Sequence, residues 1–176
     1  MMKFDLKSLV FAALCVAIGI VLPQFFHSVP NAGSVFLPMH IPVLLCGFLC
    51  AWPYALLCGI VTPVLSHFIT GMPPTAVLPA MVCELAVYGL VSALLFRFVR
   101  PKNLVVRTYI ALVGAMLAGR LVAGILKALI FNVGKYSLNA WVTSSFVTAL
   151  PGIVILLVLI PAIVVALARA RVLAVK

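Results

Sequence analysis

Two side chains of opposite charge lie within apolar stretches of this sequence, Glu84 and Arg120. The chain has only two acids, Asp5 and Glu84, and Asp5 belongs to a polar N-terminal segment. Glu84 lies inside the apolar run 77–96. An ionisable group in such a run is costly to bury, usually faces a protein interior, and often marks a functional site. Glu84 and Arg120 are therefore the first candidates for binding or proton transfer.

The composition indicates what kind of protein holds these two charges. Of the 176 residues, 66% are hydrophobic and 8% are charged, whereas a soluble domain is about half apolar and one quarter charged. This balance predicts an integral membrane protein that lies in a lipid bilayer. The formal net charge of +10 does not indicate a nucleic-acid partner, because the basic residues lie between apolar runs rather than along one face.

The apolar runs and their breakers predict an all-α protein with one domain, 1–176, built as a bundle of six transmembrane helices. The expected helices are 6–23, 39–51, 54–70, 76–97, 107–131 and 142–168. The first run could also be a signal peptide, but we expect a retained helix. The second helix is short for a membrane span, which needs about 20 residues.

The basic residues predict the orientation of the bundle. Nine of the twelve Lys and Arg residues fall near the N-terminus, between helices four and five, or near the C-terminus. Six spans place these three groups on the same side, which is the cytoplasmic side by the positive-inside rule. Both termini are therefore expected in the cytoplasm.

Depth along the helices relates the two opposite charges. Glu84 lies roughly 12 Å below the outer end of helix four at 1.5 Å per residue. Arg120 lies roughly 20 Å above the inner end of helix five, so about 10 Å below the outer face of a 30 Å core. Charges at matching depth predict an ion pair or joint ligands of one polar substrate. A structural ion pair that joins two helices is the simpler alternative.

Other polar side chains are expected at the same outer level. Lys127 lies seven residues after Arg120 on one helical face, although it could also extend to the outer interface. The remaining members of the predicted outward-facing pocket are His40, Ser66, His67, Tyr88 and Asn139. Each of these alone could be an ordinary packing or interfacial residue.

Enzyme chemistry is not indicated. The sequence has no HExxH or GxSxG motif and no paired carboxylates, so we predict no catalytic residues, no metal site and no cofactor. The five cysteines lie in apolar segments without metal-ligand spacing.

Several stretches resemble the substrate-binding S components of energy-coupling factor (ECF) vitamin transporters. They are the pair Ala13-x-x-x-Ala17, Phe36-Leu-Pro-Met-His-Ile-Pro-Val-Leu-Leu45, Thr62-Pro-Val-Leu-Ser66 with Thr70-Gly-Met-Pro-Pro74, Glu84-Leu-Ala-Val-Tyr-Gly89 and Ala118-Gly-Arg120. The resemblance covers nearly the whole chain. Trp52-Pro53 departs from it, since a Gly-Pro pair is expected there.

The resemblance implies a six-helix protein of the bacterial cell membrane that captures a water-soluble vitamin from outside. It implies as partners a transmembrane coupling subunit and two cytoplasmic ATPases, with delivery by toppling of the S component. Ala13 and Ala17 would face the coupling subunit. The vitamin is not named by the family; pantothenate-, cobalamin- and pyridoxine-like compounds are candidates, and the Arg120–Lys127 stripe suits an anionic group.

Two further interpretations fit the residues. One is a stand-alone proton-coupled carrier in which Glu84 takes up and releases the proton. The other is a structural or interaction protein of the membrane without a small ligand.

Overall fold

A computed structural model describes residues 6–26, 32–128 and 137–173 of the chain. The regular structure of these residues is helical, with no strand among them. The α-helices are α1 (Leu6–Val21), α2 (Ala32–Phe36), α3 (His40–Leu49), α4 (Trp52–Thr70), α5 (Leu78–Phe98), α6 (Leu104–Leu126), α7 (Leu138–Val142) and α8 (Leu150–Arg169). A 3-10 turn, Leu22–Phe26, extends α1, and a π-helical turn, Thr143–Val147, follows α7.

Five helices in the described part of the chain are long and apolar enough to cross a membrane. They are α1 with its 3-10 extension, α4, α5, α6 and α8. The protein is therefore an all-helical membrane protein with five candidate spans. The remaining predicted span, 39–51, corresponds to α3, which lies in the shorter apolar segment Gly33–Leu49. Because α3 has 10 residues, it is about 15 Å long, half the hydrocarbon core. Six spans with both termini in the cytoplasm stay a prediction.

Helix α5 lies at the centre of the bundle, where it packs against α3, α4 and α6. Helix α1 packs on α3 and α4, and α8 contacts α6, α2 and α3. Two glycines bring α4 and α5 together. A Cβ at Gly59 would meet the Leu85 backbone, and one at Gly89 would meet the Ala55 backbone. This close approach needs small residues, as is common where helices pack in membranes.

The last predicted helix, 142–168, differs from the structure, which divides this region into α7, the π-helical turn and α8. Pro151 explains the division. Proline has no backbone N–H and its ring clashes with the preceding turn, so it is favoured in the first turn of a helix, although α4 and α8 also hold Pro63 and Pro161 in their interiors. Pro151 accordingly stands in the first turn of α8, which begins at Leu150. Before it, the Thr148 N–H donates to the Thr143 carbonyl at 2.8 Å, an i to i+5 bond.

The other helix ends lie near their expected positions. Helix α6 begins at Leu104 rather than 107, because the Asn103 side chain accepts the Val105 N–H at 2.9 Å and caps the helix. The last residues of the predicted helix 107–131 lie outside the described residues. Helix α3 begins at His40 after a reversal at Leu37, where φ is 53°. This reversal places His40 in the first turn of α3, facing α5.

Candidate functional site

A buried polar cluster joins α3 to α5. Glu84 and Tyr88 lie one turn apart on α5, and the Tyr88 hydroxyl donates to Glu84 Oε1 at 3.0 Å. His40 Nε2 lies 3.8 Å from the same oxygen. The imidazole also contacts the Tyr88 ring edge-on, with 5.2 Å between ring centroids. The side chain of Glu84 is 16% exposed and that of His40 is 4% exposed, so the carboxylate is the accessible member of this group.

The distance between His40 and Glu84 matters for what the pair can do. A separation of 3.8 Å exceeds the range of an N–H···O hydrogen bond. Neither ring nitrogen of His40 has a hydrogen-bond partner in the described structure. Buried polar atoms are nearly always hydrogen-bonded. The His40 imidazole can therefore accept or donate hydrogen bonds that the described residues do not supply.

Arg120 enters the cluster from α6, and only 4% of the residue is exposed. Its guanidinium Cζ lies 5.6 Å from the centroid of the Phe146 ring. The Nε and Nη2 atoms have no hydrogen-bond partner among the described residues. Arg120 also interacts with the Tyr88 hydroxyl. Gly119 lets α6 approach Tyr88, because a Cβ at this position would meet the Tyr88 ring.

Glu84 and Arg120 belong to one cluster without forming a direct ion pair in the described structure. The ion-pair partner of Glu84 within 4 Å is His40, while Arg120 and Lys127 act on the carboxylate electrostatically. Tyr88 interacts with both charges. Equal depth predicted either a direct ion pair or joint binding of one polar substrate. The described structure does not contain the direct ion pair. Joint binding of one polar molecule stays a prediction.

Two aromatic side chains, Trp141 and Phe146, lie beside Arg120, and the sequence did not indicate Phe146. Trp141 Nε1 donates to the Arg120 carbonyl at 3.2 Å, and its ring packs edge-on against Phe146 at 5.6 Å. Trp141 directly precedes the predicted last helix, 142–168. Phe146 was missed, because its side chain is brought to Arg120 through the π-helical turn, which helical periodicity does not predict.

Ser66 and His67 have local partners at the end of α4. His67 Nδ1 lies 2.7 Å from the Pro73 carbonyl oxygen, and this bond ties the end of α4 to the turn that follows. Ser66 is fully buried, with its carbonyl accepting from the Thr70 hydroxyl at 2.8 Å. These contacts give both residues a structural role at the helix end, and no described contact joins them to Glu84 or Arg120.

The remaining predicted site residues lie at the edge of the cluster or away from it. Lys127 directly follows α6, is half-buried and interacts electrostatically with Glu84. Asn139 is exposed on α7. On α1, Ala13 and Ala17 are exposed, while Ala12, Cys15 and Gly19 of the same helix are buried. The alanine pair thus lies on the face of α1 that points away from the bundle.

A cavity lies toward the end of the bundle opposite the polar cluster. Its volume is about 390 Å³, and its lining includes the cations Lys7, Arg97, Arg100 and Arg107. Arg107 donates from Nε to the Phe96 carbonyl at 2.6 Å and stacks 4.3 Å from the Phe96 ring. None of the predicted site residues lines this cavity. In the described part of the chain, no three His, Cys, Asp or Glu side chains are placed to hold a metal ion.

Comparison with known proteins connects this site to one class of membrane protein. The sequence model of a family described as "ECF transporter, substrate-specific component" matches residues 7–165. This match includes every residue of the His40–Glu84–Tyr88–Arg120 cluster. No curated protein and no solved structure matches the chain.

Proposed function

Because the chain belongs to the family of substrate-specific components of ECF transporters, we propose that it captures a water-soluble vitamin or related micronutrient for import. The observation that supports this proposal is the buried polar cluster of His40, Glu84, Tyr88 and Arg120. An apolar bundle has no need of such a cluster for stability, since buried charges cost free energy unless they are well paired. Several of its polar atoms have no partner in the described chain, as expected for a site that a ligand completes.

The proposed binding site has a centre and a periphery. Glu84, Arg120, His40 and Tyr88 form the centre, and Lys127 extends it through its charge interaction with Glu84. Ser66, His67 and Asn139 are proposed as peripheral residues of an outward-facing pocket. The contacts of Ser66 and His67 at the end of α4 support a role in shaping that pocket. Pantothenate-, cobalamin- and pyridoxine-like compounds remain the candidate ligands.

Transport itself is proposed to need partner proteins. In this proposal the chain delivers its ligand by toppling in a complex with a transmembrane coupling subunit and two cytoplasmic ATPases. The exposed pair Ala13 and Ala17 would contact the coupling subunit, because small residues four apart let another helix approach closely in lipid. The proposed location is the bacterial cell membrane, with both termini in the cytoplasm. The chain would bind and deliver the ligand without acting as an enzyme.

A thermal-shift screen of the purified full-length protein against water-soluble vitamins tests the proposal. One compound is expected to raise the melting temperature in a concentration-dependent way, since a ligand that binds only the folded state stabilises it. Isothermal titration calorimetry of the same compound should give a single site. If no vitamin stabilises the protein, the interpretation as a structural or interaction protein is favoured instead.

A second candidate function rests on the 3.8 Å approach of His40 to Glu84. A carboxylate and an imidazole can exchange a proton once they close from this separation to hydrogen-bond distance, so a stand-alone proton-coupled carrier would use this pair. It predicts uptake of a vitamin into proteoliposomes that contain this chain alone under a pH gradient. Uptake without ATPase partners would contradict the ECF proposal, whereas uptake only with the complete complex and ATP would contradict the carrier.

A further inference from the structure

We propose that the substrate is a small organic acid whose carboxylate binds the Nε and Nη2 atoms of Arg120 and whose hydroxyl or amide groups bind His40 and Glu84. This inference rests on the proposed function and names the chemical class of its ligand. Nε and Nη2 form one edge of the guanidinium, and their N–H groups point in parallel. Two parallel donors match the two oxygens of a carboxylate.

The described chain does not provide a carboxylate for this edge. Glu84 is the one acid among the described residues, and its Oε1 atom already accepts from Tyr88 and faces His40. The Nε and Nη2 atoms are buried without a hydrogen-bond partner in this part of the chain. Leaving donors of a charged group unsatisfied is costly. A ligand carboxylate would remove that cost.

The end of the cluster formed by His40 and Glu84 requires a different kind of ligand group. Both nitrogens of His40 lack hydrogen-bond partners among the described residues. The Tyr88 hydroxyl contacts one carboxylate oxygen of Glu84, and a carboxylate can accept several hydrogen bonds. A ligand hydroxyl or amide can donate to Glu84 and also bond to His40, whereas a second carboxylate here would be repelled by Glu84. The ligand is therefore expected to be acidic at one end only.

Charge favours a carboxylate over a phosphate monoester. Two cations, Arg120 and Lys127, act on the one carboxylate of this cluster, Glu84. With the His40 imidazole neutral, the charges of Arg120, Lys127 and Glu84 leave an excess of one positive charge, which a monoanion balances. A phosphate monoester carries up to two negative charges near neutral pH, so it would leave a net negative charge beside Glu84. Phosphate and carboxylate share the geometry that Arg120 recognises, and the experiment must separate them.

The test uses matched acid and neutral compounds with the purified full-length protein. The pairs are pantothenate with pantothenol, nicotinate with nicotinamide, and biotin with biotin amide; pyridoxal 5′-phosphate with pyridoxal represents the phosphate class. Thermal shift identifies the pair that binds, and calorimetry measures both affinities. We expect one carboxylate to bind at least tenfold more tightly than its neutral partner. A neutral compound that binds equally well, or a phosphate that binds more tightly than every carboxylate, would overturn the inference.

Variants assign the preference to Arg120. Arg120→Met is expected to abolish the difference between acid and neutral compound. Arg120→Lys keeps the charge but lacks the two-donor edge, and should lose at least tenfold in affinity for the acid. Arg97→Met, an exposed residue on α5, removes the same charge away from the site and should keep the preference. An unchanged preference in Arg120→Met, or an unchanged affinity for the acid in Arg120→Lys, would contradict the assignment. If Arg120→Met does not yield a monodisperse protein, Arg120→Lys decides alone.

The outcomes separate this inference from the proposed function. A protein that binds only a neutral vitamin remains a substrate-capture subunit, and the carboxylate inference alone is then wrong. If the protein binds no member of these pairs and no other water-soluble vitamin, both the carboxylate inference and the proposed function are contradicted.

Discussion

At the scale of single residues, the Glu84 carboxylate has a short contact and a long one. The Tyr88 hydroxyl donates to it at 3.0 Å, and His40 Nε2 lies at 3.8 Å from the same oxygen. The short bond orients the carboxylate along α5, since both residues lie on the same face of that helix. The long contact leaves His40 able to bind another group. This arrangement makes Glu84 an acceptor that is held in place and still available to a ligand.

Glu84→Gln should therefore weaken ligand binding at least tenfold, or about 1.4 kcal/mol. The amide keeps the shape of the side chain but removes its charge and replaces one acceptor oxygen with a donor group. Calorimetry on the monodisperse variant measures the change, with Arg97→Met as the control for a lost charge elsewhere. Unchanged affinity in folded Glu84→Gln would show that Glu84 only joins helices.

At the scale of helices, the site depends on how closely α5 packs against its neighbours. Helix α5 contributes Glu84 and Tyr88, while α3 and α6 contribute His40 and Arg120. Gly89 follows Tyr88 directly, and a Cβ at Gly89 would meet the Ala55 backbone of α4. Backbone atoms cannot move aside as a flexible side chain can. The distance between α4 and α5 is thus limited by the absence of a side chain at this position.

Gly89→Ala is accordingly expected to lower the melting temperature of the detergent-solubilised protein. The cost of overpacking is about 1–3 kcal/mol. Gly33→Ala is the matched control, because a Cβ placed there meets no atom of the other described residues within 4 Å, outside its own helix backbone and chain neighbours. Differential scanning fluorimetry of both variants checks the prediction. Equal melting temperatures for Gly89→Ala and the wild type would mean that the two helices tolerate a wider separation.

At the scale of the whole molecule, the polar cluster and the exposed alanine pair lie in different parts of the bundle. The cluster is built from α3, α5 and α6. Helix α1 packs on α3 and α4, and its opposite face exposes Ala13 and Ala17 together with Leu14 and Ile18. Another helix can pack against this exposed apolar surface, close to the two alanines, without altering the cluster. Ligand binding and docking are therefore expected to be separable by mutation.

Ala13→Trp should abolish co-purification with the coupling subunit while ligand affinity stays within a factor of about two, well below the 1.4 kcal/mol of a tenfold change. The indole would hold a partner helix away from the α1 surface. Val158→Trp is the control, because Val158 of α8 is 67% exposed and the substitution adds the same ring to another helix. Loss of both docking and ligand binding in Ala13→Trp would indicate misfolding rather than a docking surface. Equal loss of docking in both variants would contradict the role of α1.

Much of the architecture could be predicted from composition and periodicity. The apolar runs predicted a helical membrane protein, and helical rise placed Glu84 and Arg120 at a similar depth. The region around α7 and α8 was not predictable in the same way. A π-helical turn has no hydrophobic period of its own, so neither the division at Pro151 nor the position of Phe146 followed from the pattern.

The sequence by itself determined the class of the protein and its scarcity of acids, and it predicted a similar depth for Glu84 and Arg120, because these depend on composition and on a constant rise per residue. Only the tertiary structure decided which groups meet. It paired Glu84 with Tyr88 and His40, and it left the Nε and Nη2 edge of Arg120 without a partner among the described residues. The physical reason is that the depth of a residue follows from its position along one helix. Which residues meet depends on the rotation and separation of neighbouring helices, and these depend on how the side chains pack together.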